Sequence, residues 1–160
     1  MAQESEMNMR IRRAVESDLP EIQSIARRTI DACYRPFLGD ESVDWFINDG
    51  GSDQYLSENV ADCRVLMSED SIVGFCVTKN DLIDLMMVDS AVHRQGYGAA
   101  MLKDCERRLF AEFDELRLES FEGNTVANNF YRKHGWIERD CAFDEASGVN
   151  KFLFTKAVQA

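Results

Sequence analysis

The 160 residues carry 45% hydrophobic and 29% charged side chains, the make-up of a globular chain long enough to bury a core. Eighteen Lys and Arg against 29 Asp and Glu leave a net charge of −11, a field that repels phosphate backbones and argues against nucleic acid as a partner. No apolar run approaches the ~18 residues of a membrane span, and Ile72–Val77 is among the longest. The start Met1-Ala-Gln-Glu-Ser-Glu is acidic and polar, unlike a secretory signal. These features lead us to expect a cytoplasmic protein, with no membrane partner, working as a monomer or homodimer.

Residues 1–8 read as a disordered leader, and residues 9–160 as a single domain. Met9-Arg-Ile-Arg-Arg-Ala alternates like a short strand. Ser17-Asp-Leu-Pro-Glu is a helix start, with a capping residue, an early proline and an acid in the first turn. Leu19, Ile22, Ile25, Ala26, Ile30 and Cys33 continue at helical spacing, and Pro36 should stop that helix. Residues 37–60 hold Trp45, Phe46, Ile47, Tyr55 and Leu56 around Asp49-Gly50-Gly51, an irregular helical segment without clear ends. Arg64–Met67, Ile72–Thr78 and Leu82–Val88, separated by polar turns, read as an antiparallel meander. A glycine-bearing loop then leads to an amphipathic helix over Ala99–Phe113, with Leu102, Cys105, Leu109 and Phe113 on one face. Leu116–Ser120 is a further strand, and Asn124–His134 a helix closed by Gly135. Cys141–Asp144 and Lys151–Thr155 form a closing hairpin around Ser147-Gly148. Helices on a mixed sheet make an α+β fold.

Charge and cysteines narrow the chemistry. Between Asp40 and Asp89 stand twelve acids against only Arg64 and Lys79. Such a stretch either keeps the surface soluble or draws a cationic substrate toward a cleft. The five cysteines are an odd number without a C-x-x-C pair, and the two histidines, His93 and His134, assemble no zinc set at familiar spacing, so no metal is expected. The thiols read as reduced and mostly structural.

The segment Val88-Asp-Ser-Ala-Val-His93-Arg94-Gln95-Gly96-Tyr97-Gly98-Ala99 runs from a strand end through a tight loop straight into a helix. Glycine there lets an anion approach the backbone, and the free N–H groups of a first helical turn hold phosphate. The same pattern also serves a tight connection with no ligand. It is not a P-loop, because Gly-Lys-Ser/Thr is missing, and Met101 stands where a dinucleotide fingerprint has its third glycine, which excludes a nicotinamide enzyme. About 20 residues on comes Asn124-Thr-Val-Ala127-Asn-Asn-Phe130-Tyr131-Arg-Lys-His-Gly135-Trp136.

Together the two segments resemble the GNAT superfamily of acyl-CoA-dependent N-acyltransferases. Gly96-Tyr97-Gly98 match its Arg/Gln-x-x-Gly-x-Gly/Ala signature. Asn124, Ala127, Phe130, Tyr131 and Gly135 match its Asn-x-x-Ala-x-x-Phe/Leu-Tyr-x-x-x-Gly-Phe signature, with Trp136 for Phe. The element order fits the family from Met9 to Thr155. His93 departs from the usual Arg or Gln, and Arg94 and Gln95 beside it are placed to supply the phosphate contact. The resemblance implies a mostly antiparallel central sheet flanked by helices, whose fourth and fifth strands splay to admit acetyl-CoA. Backbone groups of Met87 and Val88 would pair with the pantetheine arm. N–H groups from His93, Arg94, Gln95, Gly96, Tyr97, Gly98 and Ala99 would hold the pyrophosphate. Asn124 would bond the arm, and Tyr131 would sit by the thioester sulfur.

The implied reaction is acetyl transfer from acetyl-CoA to a primary amine, on a small molecule or a peptide, by direct attack in a ternary complex. An alkyl amine with a pKa near ~10.4 must lose a proton before it attacks. Glu119, at the end of the fifth strand, and Asp84, on the fourth, are both candidate bases. Tyr131 is the candidate acid for the departing thiolate. No cysteine lies in either motif, which disfavours a covalent acetyl-cysteine route. The competing reading is a CoA-binding sensor or partner-binding module without catalysis.

Overall fold

A computed structural model of the chain describes residues 8–159; apart from Asn8, the leader expected over residues 1–8 lies outside them. Polar turns at Glu69-Asp70 and Asn80-Asp81 fold the expected meander as β2 (Cys63–Ser68), β3 (Ser71–Lys79) and β4 (Leu82–Val88). β1 (Met9–Arg13) adds to β2. β5 (Glu115–Phe121), β6 (Ile137–Asp144) and β7 (Val149–Ala157) complete a seven-stranded sheet in the order β1-β2-β3-β4-β5-β7-β6. Every neighbouring pair is antiparallel except β4 and β5, which are parallel. Those two pair only at Leu82 with Arg117 and Ile83 with Leu118, then part. That parting is the splay the resemblance implied.

Helices cover both faces. The first, α1 (Leu19–Cys33), buries Ile22, Ile25, Ala26 and Ile30. It starts later than the Ser17 reading placed it. Residues 16–18 form a 3-10 turn, and the Asp18 carboxylate turns away from the helix to hold both Arg12 guanidinium nitrogens, at 2.8 and 3.0 Å, and the Val15 amide. Pro36 does more than end α1: it stands in the first turn of α2 (Arg35–Leu38), where a missing N–H costs nothing. The irregular segment resolves into α3 (Asp40–Asn48) and α4 (Gly51–Asn59), with Gly39 and Gly50 at φ +83° making the breaks. On the opposite face lie α5 (Tyr97–Leu109) and α6 (Thr125–Lys133).

Alternation along the strands divides the core in two. Phe75, Val77 and Met87 pack with Ile22, Ile25 and Leu56 under α1–α4. Cys76, Leu116 and Leu118 pack with Met101, Leu102, Trp136 and Phe154 under α5 and α6. Cys76 and Cys105 meet across that second interface, sulfurs 2.9 Å apart and both buried, which accords with structural thiols. Among the described residues no helix is long and apolar enough to cross a membrane.

Candidate active site

The donor side follows from where β4 ends. Asp89 leaves the strand, and its carboxylate caps the following turn by accepting from the Ala91 amide at 3.1 Å. Arg28 of α1 grips the same carboxylate at 2.6 and 3.3 Å and, through this charge-assisted bond, holds the Asp89 carboxyl below its ordinary range. The loop then needs two left-handed residues, Arg94 at φ +67° and Gly96 at φ +84°, before α5 begins at Tyr97. Successive backbone N–H groups in alternating hand make a concave nest for anions. Among the described residues the amides of Arg94, Gln95, Gly96, Tyr97, Gly98 and Ala99 make no hydrogen bond, while that of Ala100 returns to the Gly96 carbonyl. A Cβ at Gly98 would lie 3.6 Å from the Phe130 ring, so the fold has room for it and an incoming phosphate would not.

The second motif is equally local. Asn124 caps α6 by accepting from the Ala127 amide at 3.3 Å through Oδ1, which leaves its side-chain NH2 to donate to a ligand. Gly135 at φ +89° closes the helix, and the Trp136 amide bonds the Tyr131 carbonyl at 3.0 Å. The Trp136 indole reaches Glu106 on α5 at 3.1 Å, a partner that phenylalanine would not find. His93, the departure from the motif, donates through Nε2 to the Val88 carbonyl at 2.7 Å. It therefore occupies one of the backbone groups expected to face the pantetheine arm.

Asn124, Ala127 and Tyr131 of the second motif, with Met86 and Met87 of β4, border a cavity of about 400 Å³ at the β4–β5 parting. The sequence profile of the Acetyltransferase (GNAT) domain matches residues 59–138, half of the chain and the half that holds both motifs. The chain belongs to the GNAT acetyltransferases. Solved structures agree in fold. A GCN5-related N-acetyltransferase from Rhodopseudomonas palustris superposes with a TM-score of 0.81 at 15% identity, covering 93% of this chain and 95% of that one. PaiA N-acetyltransferase from Thermoplasma acidophilum, in complex with coenzyme A, gives 0.78 at 18%, covering 94% and 99%. The ribosomal-protein-S18-alanine N-acetyltransferase from Escherichia coli gives 0.71 at 18%, covering 95% of each.

The other walls of this GNAT cavity carry the acids. The pairing of β3 with β4 slips between Val77 with Leu85 and Thr78 with Ile83, which leaves Asp84 as the extra residue of a bulge. A bulge re-aims the side chain it carries. Asp84 meets the Tyr55 hydroxyl of α4, which donates to it. Glu119 stands one register step beyond the last β4–β5 pair, facing Asp84 across the parting. Its carboxylate accepts no hydrogen bond among the described residues, and Lys151 of β7 lies 3.9 Å away. Both carboxylates line the cavity, as does the Tyr131 phenol, whose residue is 9% exposed. Burial, then the neighbouring Tyr34, raises the Tyr131 pKa and keeps its proton in place.

Tyr34, Tyr55 and Lys151 line the cavity too, and the sequence assigns none of them a role there. Tyr34 packs against Phe37 and Phe121, with ring centroids 5.2 and 6.2 Å away, and burial pushes its phenol up to about 12. Tyr55 had a signal: it follows the buried Ser52 by three residues and adjoins the buried Leu56 on α4. Lys151 had none, since it reaches the cavity only through the β5–β7 register opposite Phe121. The twelve acids of the Asp40–Asp89 stretch do not converge on this cavity. Asp40 and Asp44 pair with Arg35, Asp53 with Arg27, Asp62 with Lys79, Asp81 with Arg117 and Asp89 with Arg28. Of the twelve, only Asp84 lines it. Among the described residues no group of three His, Cys, Asp or Glu is arranged to hold a metal ion.

Proposed function

We propose that this GNAT transfers an acetyl group from acetyl-CoA to a primary amine by direct attack in a ternary complex. One observation carries the reading. A protonated phenol, Tyr131, and a carboxylate that accepts no hydrogen bond, Glu119, line the same cavity, and the β4 strand that borders it leads into a nest of unpaired amides. The amides from Arg94 to Ala99 hold the pyrophosphate, with Arg94 and Gln95 beside them. The Asn124 amide and backbone groups of Met87 and Val88 hold the arm.

Bound acetyl-CoA supplies the thioester carbonyl that the amine attacks. Glu119 takes the proton that an alkyl ammonium must lose, since the free amine alone carries the attacking lone pair. Asp84, already engaged by Tyr55, orients the nitrogen. Tyr131 keeps its proton at the phenolic oxygen until a sulfur anion leaves beside it, then donates it. Direct attack also needs no acyl-cysteine, and the buried Cys76, Cys105 and Cys63 do not line the cavity.

Thiol release from acetyl-CoA in the presence of amines tests the reading. Tyr131→Phe keeps the packing against Trp136 and Phe154 and removes only the hydroxyl. It should lower kcat by ~10–1,000-fold, the span of a general-acid contribution, with little change in acetyl-CoA affinity. Unchanged turnover would leave Tyr131 a packing residue. CoA binding without transfer to any amine would instead establish the sensor reading.

A further inference from the structure

The cavity also limits which amine enters, and this step rests on the transferase reading above. Two carboxylates, Asp84 and Glu119, face each other at the parting of β4 and β5, and one cation, Lys151, stands near Glu119. An ammonium placed there has its charge met on both sides. The rest of the wall carries no charge: Ala26, Ile30, Leu38, Phe46, Leu85 and Phe121 are apolar, and Tyr34, Ser52 and Ser120 are neutral. A second ammonium carried further in would lose its water with no carboxylate to replace it, which is strongly unfavourable. Of the other eleven acids of the surrounding stretch six are paired with arginine or lysine, and none of the eleven lines the cavity. An acceptor that bears a carboxylate beside its amine would set like charges against Asp84 and Glu119, with Lys151 alone to answer.

The anchor itself is held from a distant element. Asp84 owes its direction to the β4 bulge, and the Tyr55 hydroxyl from α4 fixes the carboxylate in that direction. Burial, then the hydrogen bond to Asp84, raises the Tyr55 pKa, so the phenol stays a donor. Tyr55 does not carry a proton in the reaction. It orients the group that receives the amine.

We propose that the acceptor is a primary monoamine on an apolar arm, seated with its nitrogen between Asp84 and Glu119 and its arm against Ile30, Leu38, Phe46 and Phe121, and that Tyr55 is the positioning residue for Asp84. Thiol release at saturating acetyl-CoA is measured with phenethylamine, isopentylamine, spermidine and leucine. The two monoamines should exceed spermidine and leucine in kcat/KM by at least about tenfold, the scale on which pockets discriminate. Equal rates for all four, or preference for spermidine or leucine, overturns the acceptor assignment and leaves the transferase reading standing. Thiol release with none of them overturns the transferase reading itself.

Tyr55→Phe keeps the ring in place and removes the donor. It should raise KM for phenethylamine by about three- to tenfold, the value of one ordinary hydrogen bond, while kcat and the KM for acetyl-CoA move less than about twofold. An unchanged amine KM overturns the positioning role. Phe46→Glu adds a carboxylate to the apolar end and should raise the spermidine-to-phenethylamine ratio by about tenfold or more. A folded Phe46→Glu variant with an unaltered ratio overturns the placement of the arm. If that variant does not fold, the amine panel and Tyr55→Phe still decide.

Discussion

Between Val88 and Trp136 the site we propose is built from backbone: unpaired amides, a capped helix start and a glycine where a side chain would intrude. Between Leu19 and Asn59 it is built from side chains on separate helices, Ile30, Tyr34, Phe46 and Tyr55 among them. The first kind of site needs particular residue types at fixed intervals, because a left-handed turn and a helix N-terminus are defined within a few residues. The second needs only that several helices bring the right surfaces to one place, and many sequences do that. The donor site we propose thus rests on the rigid local device, and the acceptor site on the part free to vary.

Three changes separate the two halves, in descending order of effect. Gly98→Val should leave melting nearly unchanged, since a Cβ there finds ordinary contacts with Phe130 and Val88. CoA affinity by calorimetry should fall at least about a hundredfold, the value of roughly two charge-assisted hydrogen bonds lost at the nest. Undiminished affinity in a folded variant would remove the anion role from this helix start.

Asp89→Asn tests the strut that joins the halves, because Arg28 of α1 holds the start of the donor loop only through that carboxylate. A loss of about 1–3 kcal/mol in unfolding free energy near neutral pH is expected. The folded pKa of Asp89 lies below its ordinary value of 3.8, so its contribution is complete above that value and fades as pH falls through the folded one. The gap between wild type and variant should therefore close from about pH 4 downward, as urea unfolding at several pH values would show. A gap that persists at pH 2 would mean lost packing rather than lost charge.

The smallest effect concerns the acidic stretch. Asp62→Asn removes a pair with Lys79 away from the cavity and should leave kcat/KM for the best amine within about twofold, in the range of a surface ion pair. A several-fold fall would restore the idea that the stretch as a whole draws the acceptor in.

The same division explains what could be read before folding. Pro20 early in a helix, the Gly96-x-Gly98 loop, Asn124 three residues before Ala127 and Gly135 at a helix end each signal their structure through neighbours within five residues. All four proved to be where the spacing placed them. Pro36 stopped α1 as expected but also opened α2, because a proline that ends one helix suits the first turn of the next. Ser17 misled because the Asp18 carboxylate found Arg12, six residues back across a strand end, instead of its own helix.

The sequence by itself determined the order of strands and helices, the glycine loop before α5 and the Asn124 cap of α6, because backbone conformation answers to local residue type. Only the tertiary structure decided that Tyr55 would grip Asp84, that Lys151 would stand by Glu119 and that, of the twelve acids from Asp40 to Asp89, Asp84 alone would line the cavity. Those contacts join residues 29 and 32 positions apart, or lie in a register set by β5 against β7. A charge in a sequence has a sign but no partner until the fold brings one within reach.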